Sequence, residues 1–83
     1  MISVEQVIQE LRRVDAGASK CAEQCRDSCA GVESAIRDLG AFDGKAQGAA
    51  AGLVSAADHL TRARRALEQL RVSIPKVISQ LSE

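Results

Sequence analysis

Eighty-three residues, with eleven Lys plus Arg against eleven Asp plus Glu, make one domain of zero net charge. Fourteen alanines, one Phe, no Trp and no Tyr exclude a deep single-chain core, and neutrality removes the bulk positive field of a nucleic-acid binder. No apolar run approaches the ~20 residues of a membrane span, and at 46% hydrophobic the chain is too rich in core material for a disordered tail.

The first predicted element is a helix opening at Ser3. Ser3 with Gln6 fits a capping box, Glu5 suits the positive end of the helix dipole, and Ile2 with Val7 fits a hydrophobic staple. Met1 precedes Glu5 and Glu10 with neither a basic region nor an apolar core. No signal peptide is therefore expected, and the chain reads as cytoplasmic or exported without a cleavable signal. Alternating steps of three and four run through Val4, Val7, Leu11, Val14, Ala18, Cys21, Cys25, Ser28, Val32, Ala35 and Leu39, with Ser28 alone not apolar. A repeat of 3.5 is the pattern of helices packed side by side. Ile8, Cys29 and Ile36 lie one place beyond this series and widen the stripe toward a bundle-type face. Gly17 and Gly31 inside the helix each cost about 1 kcal/mol relative to Ala, which points to close approach by a partner helix.

Gly40 is expected to stop the helix in a left-handed conformation, and Asp43 to cap the next one. So short a connection forces antiparallel neighbours. Gly40, Gly44, Gly48 and Gly52 fall four apart; the first two are expected to shape the turn and the others to narrow the hairpin.

The second helix carries the series Ala46, Ala49, Leu53, Ala56, Leu60, Ala63, Leu67, Leu70, Ile74, Val77 and Leu81 without a break. Pro75 either kinks it or begins a last short piece capped by Ser73; Val77, Ile78 and Leu81 continue the pattern and favour a kinked continuation. No two-residue alternation marks a strand. The fold class is therefore all-α, an antiparallel two-helix hairpin of about 3–39 and 44–82 in a single domain. The seam rests on Val4, Leu11, Val14, Val32, Leu39, Leu53, Leu60, Leu67, Leu70, Ile74 and Leu81.

One seam containing many alanines does not offset the entropy of ordering such a chain, of order 100 kcal/mol. Dimerisation into a four-helix bundle is the expected remedy. Residues 1–41 carry net −2 and residues 42–83 net +2, so the two helices attract. Expected local pairs are Glu33 with Arg37, Asp58 with Arg62, and Arg64 with Glu68. Arg62, Arg64, Arg65 and Arg71 make the second helix locally basic, but Asp58 and Glu68 dilute the patch and no stacking aromatic accompanies it. A solvated face is expected there, and no nucleic-acid partner.

Cys21, Cys25 and Cys29 are the one chemically suggestive group. Spacing of four along one helix does not direct them into a disulfide with each other. A tight turn would set Cys25 level with Asp58 and His59, the only His. Three readings are open: small apolar thiols filling the seam, an interchain disulfide, or a soft-metal site for Cu(I) or Zn using Cys21, Cys25, Cys29 and His59. The first is preferred, and no cofactor is expected. With one His, no Tyr and no Gly-rich phosphate loop, an enzyme is not expected.

Phe42-Asp43-Gly44, between two long helices of near-equal length in a chain under a hundred residues, resembles the turn of the WXG-type small proteins of type VII secretion. In that family a Trp-x-Gly sequence occupies the turn; here Phe42 stands for the Trp and Gly44 for the Gly. The resemblance implies a non-catalytic hairpin that pairs with itself or a related hairpin, most simply as a homodimer, and leaves the cell without a cleavable signal peptide. The family's C-terminal export signal, a Tyr followed four places later by an acidic residue, has no counterpart in a chain without Tyr.

Overall fold

A computed structural model describes residues 1–41 and 46–83. It consists of two helices, α1 over Val4–Leu39 and α2 over Gln47–Leu81. They run antiparallel against each other: Asp15, near the start of α1, meets Arg71, near the end of α2, while Cys29 meets Ala57 and Thr61 nearer the connection. The turn motif Phe42-Asp43-Gly44, and with it the expected cap from Asp43, lies outside the described residues.

The α1 entrance forms as its residues dictate. The Gln6 backbone N–H donates to Ser3 Oγ at 3.2 Å, and the Ser3 N–H donates to Gln6 Oε1 at 2.9 Å, completing the reciprocal capping box. Ile2 stays exposed, so the expected staple covers little. At the other end Gly40 does not take the left-handed conformation. Its φ of −62° and ψ of −16° continue the right-handed turn, and its N–H reaches back to Ile36 O and Arg37 O, both at 3.2 Å. The helix therefore closes by tightening its own last turn rather than by reversing direction at the glycine. α2 passes through Pro75 as one helix, which bears out continuation over a separate capped piece. Ser73 Oγ donates to Gln69 O at 3.1 Å, back along the same helix.

The packing phase differs from the expected one. The positions seven apart hold as expected: Leu11, Ala18, Cys25, Val32 and Leu39 on α1, and Ala46, Leu53, Leu60, Leu67 and Ile74 on α2, are all at least half-buried. Between them the expected Val7, Ala35 and Ala56 are half-buried as well, but so are Asp15, Cys29 and Ile36 on α1 and Ala50, Ala57, Arg64 and Ile78 on α2, and Ala22 is buried. Val4, Val14, Leu70 and Leu81, expected in the seam, are 51, 48, 40 and 37% exposed. Cys21 and Ser28 are exposed too. An apolar stripe wider than one seam has two flanks, and a single partner helix covers one of them. The flank chosen is rich in Ala22, Ala50 and Ala57, whose small side chains let the helices approach closely.

The result is thinly buried. Only Ala18, Ala22 and Ile74 are buried hydrophobics among the described residues. The radius of gyration is 18.7 Å, against about 12 Å for a compact domain of this length. Gly48 and Gly52 do not narrow the hairpin: a Cβ added at either meets nothing within 4 Å, and the same is true of Gly17 and Gly31.

Candidate interaction surface

The two flanks of the seam differ in chemistry. On one, Ser19, Glu23 and Arg26 of α1 and Glu68 and Arg71 of α2 line a shallow groove against Ala22. Arg71 Nε stands 3.7 Å from Asp15 Oδ1 across the seam, and Arg64 Nε stands 3.7 Å from Glu68 Oε1 along α2. Both distances are charge contacts too long for hydrogen bonds, and Asp15 Oδ1 and Arg64 Nε are buried without a hydrogen-bond partner. Arg62 pairs with Asp58 at 3.0 Å on the surface. Three of the four α2 arginines thus face a carboxylate, which leaves Arg65 outside the ion pairs among the described residues. Glu33 does not pair with Arg37 among the described residues. Its carboxylate sits 3.8 Å from Cys29 Sγ, four residues back on the same turn.

Cys29 belongs to this polar flank. Its Sγ lies 3.8 Å from Thr61 Oγ1 and 3.9 Å from Ala57 O, while the Thr61 hydroxyl donates to Ala57 O at 3.0 Å. Cys25 is half-buried and Cys21 exposed, and all three thiols are free. The register that sets Cys29 level with Ala57 carries Cys25 past Asp58 and His59 to the height of Thr61, and His59 is exposed. Among the described residues no group of three or more His, Cys, Asp and Glu converges as a metal site requires. Cys21, Cys25, Cys29 and His59 are therefore spread around the hairpin rather than gathered.

The other flank carries the residues displaced from the expected seam. In an antiparallel pair, the positions just before each seam residue fall on one side of both helices, opposite the positions just after. Val14 and Cys21 of α1 therefore share a face with Ala63, Leu70 and Val77 of α2, and all five are exposed. Asp15, Thr61 and Ala57 are the contact residues that periodicity alone missed. Asp15 and Ala57 belong to the second series of seven, which is interrupted by polar residues and so weighs less than its apolar neighbour; Thr61 belongs to neither series.

No helix among the described residues is long and apolar enough to cross a membrane. No known family model, curated protein or solved structure matches the chain.

Proposed function

We propose that this protein is a non-catalytic helical interaction module, a WXG-like hairpin that pairs with another helical hairpin, its own copy or a related chain, to complete a four-helix bundle. A place alongside type VII secretion follows from the resemblance carried by Phe42, Asp43 and Gly44. The observation that supports the reading is the unfinished core. The chain exposes 6284 Å2, against about 4,800 Å2 for a compact protein of its mass. An isolated hairpin this thin leaves apolar surface wet along its whole length, and a partner hairpin covers it.

Thermal unfolding of the purified chain, followed by circular dichroism over a hundredfold range of concentration, tests this. The expected result is a midpoint that rises with concentration, or a weakly folded chain that gains helicity when its partner is added. A monomer that unfolds cooperatively above about 65 °C at every concentration has no need of a partner, and would overturn the reading.

A further inference from the structure

The flank of the hairpin away from the ion pairs is apolar and nearly uncharged. Val14, Cys21, Ala63, Leu70 and Val77 are exposed on it, and among the described residues its outer edge carries only Glu10 and Asp38 as charges. Resting on the pairing reading above, we propose that the occupant of this face is a second copy of the same chain, seated face to face.

Three observations carry the choice of occupant. The first is charge. The polar flank holds Asp15, Arg64, Glu68 and Arg71, whereas this one offers no charge pattern by which to select a charged partner. A second copy presents the same uncharged surface, so contact buries no unpaired ion, and two chains of zero net charge do not repel. The second is area. The chain's excess of about 1,500 Å2 over a compact protein of its mass exceeds the ~800 Å2 that each partner contributes to a stable interface. The third is shape. Beside this stripe, Gly17, Gly31 and Gly52 have open space where a Cβ would stand, so a neighbouring backbone can lie close.

Sedimentation equilibrium of the full chain and of paired variants tests the proposal. Val14→Lys and Leu70→Lys lie on the proposed face. Val54→Lys and Val72→Lys replace apolar residues that are more exposed still and lie on the polar flank, Val54 seven residues before Thr61 and Val72 four residues after Glu68. The wild-type chain is expected to dimerise, V14K and L70K to weaken the dimer at least tenfold, and V54K and V72K to leave it within about twofold. A dimer indifferent to V14K and L70K, or equally sensitive to V54K and V72K, would overturn the assigned face. A wild-type chain that stays monomeric to 100 µM would overturn the second copy as occupant, whereas the pairing reading stands or falls on its own thermal test.

A measurement on the unaltered chain guards against variants that fail to fold. Cys21 lies exposed at mid-length of α1 on this face. Its alkylation by iodoacetamide, located by peptide fragmentation, is expected to slow at least tenfold between nanomolar and 100 µM protein. A rate that does not change with concentration would also overturn the proposal.

Discussion

Asp15 and Arg71 face each other across the helical seam at 3.7 Å, one half-buried carboxylate against one guanidinium. Their side chains keep 36 and 45% of their exposure, so the pair contributes no more than ~1 kcal/mol. Asp15 Oδ1 nevertheless lacks a hydrogen bond where it is buried. Replacing Asp15 with Leu extends the seam between Leu11 and Ala18, while Arg71 swings to solvent. Asp15→Leu is expected to raise hairpin stability by about 1 kcal/mol, measured by urea unfolding; a loss of stability would mean that the ion pair outweighs the apolar gain.

Leu60 and Leu67 sit half-buried on α2 in the seam that both phases of the pattern share. An aspartate at either position brings a carboxylate into the seam, where the cation one turn further along the same helix is Arg64 or Arg71, four residues on. Leu60→Asp and Leu67→Asp are each expected to cost ~3 kcal/mol or more and to abolish helicity at 222 nm. Retention of the wild-type spectrum in either variant would show that the hairpin does not depend on this seam.

Gly17 and Gly31 lie in mid-helix with open space around the Cβ each lacks. In a monomeric hairpin, Gly17→Ala and Gly31→Ala should each stabilise by about 1 kcal/mol, and the two should add because the sites share no neighbour. Measured at concentrations where the chain self-associates, a smaller gain or a loss would locate a partner's backbone against these positions.

Pro75 interrupts the hydrogen-bond ladder of α2, since it has no N–H to offer the Arg71 carbonyl. Pro75→Ala restores that donor, and the expected gain is ~1–3 kcal/mol in urea unfolding. An unchanged midpoint would indicate that the last turns of α2 add nothing to cooperative stability.

Ser3 holds the first turn of α1 through its contact with the Gln6 N–H. Ser3→Ala is expected to cost ~1 kcal/mol and to speed hydrogen exchange at Val4, Glu5 and Gln6 before any other site. Equal protection in both proteins would place the first turn outside the folded unit.

The hairpin was legible because its signals are local. The Ser3–Gln6 box, the two heptad series and the break after Leu39 are each written within a few residues; α1 forms where it is marked, and α2 begins at Gln47, three residues past its expected start. Less could be read about which residues touch. Val14 and Asp15 stand next to each other, and periodicity favours the valine; the structure covers the aspartate and exposes the valine. Cys25 and His59 were expected at one height on the reckoning of a tight turn, and the register set by Cys29 against Ala57 separates them.

Composition and periodicity by themselves determined that this neutral, alanine-rich chain makes two long antiparallel helices with too little large apolar side chain for a core of its own. Only the tertiary structure decided which flank of the wide apolar stripe is spent inside the hairpin and which stays exposed. The reason is geometric. Two series that share every seventh residue and differ by one position are nearly equivalent along a single helix. The approach of Cys29 to Ala57, with Asp15 reaching Arg71, selects between them, and those contacts exist only once the second helix is in place.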